Sequence, residues 1–253
     1  MYDSDLSAEK WALIEHHFEP KDNRGAEPKH DKRIIVSAIL YINKTGAQWR
    51  MLPKDFPPWQ TVYHHNHHWN CRGVWEAAID ELNELYRKKT GKKATPSYGI
   101  VDSQSVKTVS YSEERGFDGG KKTKGRKRHI VVDSLGNLIQ VIVHAANIHD
   151  TKGACDVLEA ATAKHKNIKA FSGDEGYRGT AVKFVEKVLG LKLHISKKIK
   201  DTFAVLPKRW IVERTFAWFG NYRRLSKDYE ILVSTAENMV RIAMLSIMVT
   251  KCV

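Results

Sequence analysis

Arg126–Ala146, RKRHIVVDSLGNLIQVIVHAA, holds two apolar runs rich in Ile and Val on either side of Leu135–Gly136. β-Branched runs split by a glycine-containing turn read as a β-hairpin. Working outward, YGIVDSQSV (98–106) is a short apolar run that ends in Asp102, and IKAFSGDEGY (168–177) is a second that ends in Asp174. LKLHISKK (191–198) is a further strand, while DTKGACDVLEAATAKH (150–165) and GTAVKFVEKVLG (179–190) are helical. After Pro207 comes KRWIVERTFAWFGNYRRLSKDYE (208–230), another helix. The order βββαβαβα predicts an α/β sheet covered on both faces.

Residues 1 to about 95 carry a different pattern. SDLSAEKWALIEHHF (4–18) spaces Leu6, Trp11, Ile14 and Phe18 as a helix does, with Ser7 as its cap. DKRIIVSAILYINKTG (31–46) is a helix capped by Asp31 and ended at Gly46. WQTVYHHNHHWN (59–70) and GVWEAAIDELNELYRKK (73–89) are two more. Short helices joined by short turns in a basic chain suggest a helix-turn-helix module, a pattern that a plain bundle shares. The polar linker KKTGKKATPS (88–97) then divides a helical region, 1–95, from an α/β region, 96–253.

The chain has 253 residues, with 42 Lys plus Arg against 29 Asp plus Glu, a net charge of +13. That balance predicts a polyanionic partner, nucleic acid before an anionic membrane. No apolar run is long enough to span a bilayer, and the N-terminus lacks the features of a secretory signal. Cys71, Cys155 and Cys252 form neither a disulfide framework nor a CxxC pattern, so a reduced, cytosolic protein is expected.

Asp102 and Asp174 stand where sites form in open α/β sheets, at the carboxyl ends of strands. Glu213 lies among Trp210, Ile211, Val212, Phe216 and Ala217, an apolar setting in which a carboxylate needs a cation. Arg209, Arg214 or a divalent metal would serve. Three acids converging on one sheet end repel unless a hard cation such as Mg²⁺ intervenes. GGKKTKGRKRH (119–129) packs Lys121, Lys122, Lys124, Arg126, Lys127 and Arg128 into one stretch, read as a flexible phosphate-contacting loop. In YHHNHHW (63–69), His64 and His68 are four apart and Cys71 follows three later. That is usable zinc geometry, although a DNA-facing surface with Tyr63 and Trp69 in the core is the preferred reading. Trp49, Trp59, Trp69 and Trp75 are expected in the core, with one possible exception that stacks on a base. ENMVRIAMLSIMVTKCV (237–253) reads as a core helix before a dimer seam.

IVDSQSVKT (100–108), GKKTKGRKRHIVVDSLGNL (120–138), GDEGYRG (173–179) and RWIVERTFAWFGNYRRLSKDYE (209–230) closely resemble DDE transposases of bacterial insertion sequences, in the insertion sequence five family. TGAQWRMLPKDFPPWQTVYHHNHHW (45–69) is similar to that family's amino-terminal region. The resemblance implies an RNase H-like catalytic core without a large insertion domain, preceded by an all-α DNA-binding region. It assigns Asp102, Asp174 and Glu213 as catalytic acids and ligands of Mg²⁺, with Mn²⁺ as substitute. The implied partners are double-stranded DNA, as transposon ends and target, and a second copy of the chain in a dimer or larger synaptic complex. The implied setting is the bacterial cytoplasm, at the nucleoid. Arg209 fits the family's C-terminal signature, in which the Tyr and Lys positions fall on Leu206 and Gly220. Arg223, Arg224 and Lys227 are then expected to contact phosphates, with His64 and His68 adding to the DNA surface. Glu175 replaces a glycine usual beside the second Asp. A nuclease that never joins strands, a non-catalytic DNA-binding protein and an RNA-binding protein are the competing readings.

Overall fold

The computed structural model describes residues 2–20, 29–196 and 209–253. Lys197, Lys198, Leu206, Pro207 and Lys208 lie outside the described residues. The helical region comprises α1 (Ala8–Ala12), α2 (Glu15–Phe18), α3 (Lys32–Thr45), α4 (Trp59–Cys71) and α5 (Val74–Lys89). The first expected helix is two, because Ile14 leaves helical geometry at φ −131° and restarts the chain as α2. Ser7 caps α1 by accepting from Lys10 N–H, and Asp31 caps α3 by accepting from Arg33 N–H. Gly46 ends α3 in the left-handed conformation, at φ 73°.

The α/β region runs β1 (Tyr98–Lys107), β2 (Gly116–Asp118), β3 (Thr123–Val132), β4 (Leu138–Ala145), α6 (Asp150–Lys164), β5 (Ala170–Gly173), α7 (Thr180–Lys187), β6 (Lys192–Ile195), α8 (Arg209–Gly220) and α9 (Val233–Cys252). The hairpin is β3–β4, paired antiparallel from Arg126↔Ala145 to Val132↔Leu138. Its turn needs Gly136, which sits at φ 82° with Thr215, Arg214 and Trp218 packed against it. β1 pairs antiparallel with β3 and parallel with β5, and β5 pairs parallel with β6. Across the sheet the order is β4–β3–β1–β5–β6, with short β2 on the other end of β3. The sheet is mixed, as an RNase H-like core requires, and β2 is a strand the sequence reading did not include.

Each face of the sheet is covered, as strand alternation requires. Val101, Val131 and Ile139 pack beneath α6 and α7 with Val157, Leu158 and Val185. Ile100, Ile130 and Val132 point the other way, into an apolar cluster shared with α8, α9 and the N-terminal helices. That cluster runs without a break from Phe18, Trp69 and Trp75 to Met239 and Leu245. The helical region therefore rests directly on the α/β region, with α5 lying along α9. α9 is a core helix: Met239, Ile242, Ala243, Leu245 and Met248 are all buried. Trp69 and Trp75 are buried as expected, while Trp49 and Trp59 are only partly covered. Tyr63, expected in the core, is exposed and meets Trp49 edge-on at 5.2 Å.

Candidate active site

Asp102 does not stand past the end of a strand. β1 continues through SQSVK to Lys107, because Ser103 to Lys107 keep pairing with His129 to Gly125 of β3. Asp102 is thus mid-strand, opposite Ile130 and on the sheet face that α8 covers. Asp174 does follow its strand, β5, where its carboxylate accepts from Gly176 N–H at 2.9 Å. A Cβ at residue 176 would come within 3.0 Å of that same oxygen, so glycine keeps the turn open. The parallel ladder sets Ile100 opposite Ser172. Beyond that last paired position, Asp102 and Asp174 line one small cavity, close enough for the charge of Asp174 to act on Asp102.

Glu213 corrects the expectation of a carboxylate buried in an apolar setting. The turn of α8 presents Ile211, Val212 and Thr215 to the core and leaves Glu213 about half exposed. Its partner in the structure is Arg209, one helical turn earlier, with Nε 3.0 Å from Glu213 Oε1. Nη2 of the same guanidinium lies 3.6 Å from Asp174 Oδ2. Arg209 therefore links two of the three acids, and it lines a small cavity with Asp102, Asp174, Ser172, Ser196 and Val212. Arg214, the other candidate partner, instead lies over the Trp210 and Trp218 rings and donates to Leu135 O.

The electrostatics single out Asp102. Burial pushes its carboxyl up to about 6, and the charge of Asp174 adds to the rise. Ser103 N–H, bonded to Asp102 Oδ1 at 2.8 Å, and the cations Arg209 and Lys121 oppose it. A half-enclosed carboxylate pushed up by burial, and further by a second carboxylate, fits a hard cation: its charge is under-compensated, and the donors are oxygens. Glu175, which adds a negative charge next to Asp174, directs it at Arg178, 3.0 Å away.

The basic stretch is divided by β3. Lys121, Lys122 and Lys124 are exposed, as a phosphate-contacting surface requires. Arg126, Lys127 and Arg128 are buried, because the strand begins at Thr123 and carries them inside. Arg126 forms an ion pair with Asp228 at 3.1 Å and donates to Glu113 O and Glu230 O. Arg128 donates to Leu225 O at 2.7 Å, and burial draws its guanidinium down to about 10. Lys127 reaches the opposite face, bonding Ile148 O and lying 2.9 Å from Asp150 Oδ1. Arg224 is likewise buried, held by Glu230 at 2.7 Å and Ala47 O. None of these four has its cationic group available to a phosphate. Arg223 is exposed and Lys227 half-buried near the Tyr229 ring. His64 and His68 are exposed on α4, but Cys71 lies instead 3.8 Å from His67, so no three-donor zinc cluster forms there.

A polar layer beneath the acids escaped the sequence reading. On the face of β1 opposite Asp102, Ser103 Oγ donates to Asp150 Oδ1 at 2.9 Å and Ser105 Oγ to Asp118 Oδ2 at 2.6 Å. Lys127 stands between the two acids, and Lys121 Nζ reaches Ser103 O at 3.3 Å. His144 donates from Nδ1 to Ala145 O, so its Nε2 accepts from His129 Nδ1, 2.6 Å away. Burial first, and then His144, push His129 down to about 3, so that ring is neutral. Alternating serines in β1 and the acid opening α6 were the available signals, but their partners lie far off in sequence.

Residues 93–248 match the family model described as "Transposase DDE domain", and residues 6–79 match "Putative transposase of IS4/5 family". The "Insertion element IS402 uncharacterized 16.2 kDa protein" of Burkholderia cepacia is 31% identical over 119 residues, 44% of this chain and 78% of that protein. The "Putative transposase for insertion sequence element IS402" of the same organism is 28% identical over 114 residues, 42% of this chain. The match spans only about half of that relative, 54% of its length. Among solved structures, the "Mos1 transposase paired-end complex with left transposon end" covers 82% of this chain and 79% of its own at 10% identity. Its TM-score of 0.26 is too low to support any argument about this chain.

Proposed function

Because the chain belongs to the DDE-domain transposases of the IS4/5 type, we propose that it cuts DNA at the ends of an insertion sequence and joins those ends to target DNA, using Asp102, Asp174 and Glu213. The observation that supports this reading is that Asp102 and Asp174 line one cavity, with Arg209 linking Asp174 to Glu213. Such a set of oxygen donors suits Mg²⁺, with Mn²⁺ as a substitute. The metal, when bound, supplies Lewis-acid polarisation of the phosphate and an activated oxygen nucleophile.

The chain's own residues do the rest. Asp102 gives up its proton to serve as a ligand, and its place within a strand fixes its carboxylate more firmly than a loop does. Arg209 stands in for the cation: its guanidinium neutralises Asp174 and Glu213 in the metal-free protein and swings aside, toward DNA phosphate, when the acids ligate. Lys121, Lys122, Lys124 and Arg223 contact the DNA backbone, which positions the duplex without reading sequence. The helical region, 1–95, recognises the terminal repeats, with α4 presenting His64 and His68 to DNA. In the first step water attacks phosphorus at the element's end, breaks the P–O3′ bond and frees a 3′-OH. In the second, that 3′-OH attacks a target phosphodiester, forming one P–O bond as another breaks. Two ends must be held together, so the working form is a dimer or a larger assembly.

A labelled duplex bearing the terminal repeat, incubated with protein, Mg²⁺ and supercoiled target, tests this. Cleaved ends that become linked to target support a transposase. Cleaved ends that are never joined point to a nuclease, and binding without cleavage in either metal removes the enzymatic reading.

A further inference from the structure

A second candidate metal site lies at the N-terminal end of the chain, in the helical region. His16 and His17 of α2 both direct Nε2 at one oxygen of Glu81 on α5, each at 2.8 Å. Their rings lie 4.2 Å apart. Among the described residues these are the only three His, Cys, Asp or Glu donors that all lie within 4.8 Å of one another. Neighbouring residues of a helix point about 100° apart, so their convergence on one atom is not what helix geometry supplies by default. α2 is a single turn whose preceding residue, Ile14, is out of helical geometry, and this aims both rings at α5.

We infer that His16, His17 and Glu81 form a Zn²⁺ site that clamps α2 onto α5. Two imidazoles and one carboxylate are the donor types zinc takes, with water completing the tetrahedron. Mg²⁺ and Ca²⁺ prefer all-oxygen shells and are disfavoured here. Zinc bonds of about 2.0–2.1 Å separate tetrahedral donors by roughly 3.3 Å. The present contacts are a few tenths of an ångström shorter, and the exposed His16 and Glu81 side chains have room to open by that much. Burial lowers His17 against the bond to Glu81, which raises it. Burial alone would raise Glu81, yet the bonds from His16 and His17 lower it. Zinc replaces the two Nε2 protons now shared with Glu81, and each ring then carries its proton on Nδ1.

The clamp has a structural object. Next to His17, Phe18 packs edge-on against Trp69 at 4.8 Å and Trp75 at 5.2 Å. α2 is thus the lid of the aromatic cluster in the helical region, and a metal bond from α2 to α5 fastens that lid.

The test uses the full chain, freed of metal with EDTA and desalted, then titrated calorimetrically with ZnCl₂ in excess Mg²⁺ so that Asp102, Asp174 and Glu213 do not compete. Thermal unfolding is followed with and without zinc. His16→Gln and Glu81→Gln are the variants, since both side chains are half exposed and neither carries the packing of Phe18. His64→Gln/His68→Gln is the control for the exposed histidines of α4. We expect one zinc per chain, a rise in melting temperature with zinc, and unchanged metal-free melting in all variants. His16→Gln and Glu81→Gln should each weaken zinc binding by more than the roughly 10–100-fold seen when only an outer-shell partner is lost, and abolish the thermal shift. The control should bind as the wild type does. Absence of binding in the wild type, or equal affinity in the wild type and both ligand variants, would overturn the inference; loss of binding in the α4 control alone would move the site there.

Discussion

Asp102 is the residue in which fold and chemistry conflict most openly. Its carboxyl titrates near 6 in the folded chain because burial and Asp174 oppose its charge. The unfolded value is near 3.9. The folded state therefore holds the proton more tightly, so stability is fully present below the unfolded value, falls as pH rises toward 6 and stays low above it. Asp102→Asn should accordingly stabilise the metal-free protein at pH 7.5 by on the order of 2 kcal/mol, and by little at pH 4. Thermal melts of both proteins at the two pH values check this, and an equal gain at both would remove the charge from the explanation. The same residue shows what one sequence can reveal. The acid at the end of an apolar run was legible for both Asp102 and Asp174, because short buried strands leave a clear hydrophobic signature. The continuation of β1 past Asp102 was not, because SQSVK is polar. It is a strand because its serines find Asp150 and Asp118 inside the protein. Glu213 stood out in the sequence as a candidate, but its exposure was not legible, since its surroundings depend on which face α8 turns to the sheet.

At the scale of elements, β3 is the instructive case. A run of Lys and Arg reads as surface, and its first half is. Its second half is interior because the neutralising groups come from distant segments: Asp228 for Arg126, Asp150 for Lys127. No local pattern announces such partners. The hairpin itself was plain, since two β-branched runs and a glycine turn are local facts. The two halves should respond to mutation in opposite ways. Arg126→Met leaves Asp228 buried without its cation, which typically costs about 3–5 kcal/mol. Denaturant unfolding should show that loss. Lys121→Ala/Lys122→Ala/Lys124→Ala should change stability by no more than about 0.5 kcal/mol per residue, as exposed substitutions do, while weakening DNA binding on any sequence. If the triple variant bound random duplex as the wild type does, the exposed half of the stretch would lose its proposed role.

At the scale of the molecule, the charge of +13 and the single apolar cluster joining helical and α/β regions bear on the same question. On the proposed function, the shared cluster would fix the distance between the helices proposed to recognise the repeat and the acids proposed to cut it. The surplus charge would then supply affinity that salt removes. The logarithm of the DNA association constant should fall linearly with the logarithm of salt, with a slope of about −0.9 for each phosphate neutralised. Removing the three exposed lysines should make that slope shallower by about 3 at most. Filter binding or anisotropy over a salt series measures both, and an unchanged slope would place the DNA path elsewhere. Among the described residues no helix is long and apolar enough to cross a membrane.

The most direct test of the central claim, that Asp102 acts as a metal ligand in strand cleavage, is a change of donor atom. A thiolate is a poor ligand for Mg²⁺ and a better one for Mn²⁺. Asp102→Cys and wild type should be assayed for cleavage of the terminal-repeat duplex in each metal and in EDTA. The account predicts that wild type cuts in both metals and not in EDTA, while Asp102→Cys is inactive in Mg²⁺ and regains cleavage in Mn²⁺. Cleavage by Asp102→Cys in Mg²⁺ at the wild-type rate, or by wild type in EDTA, would contradict it.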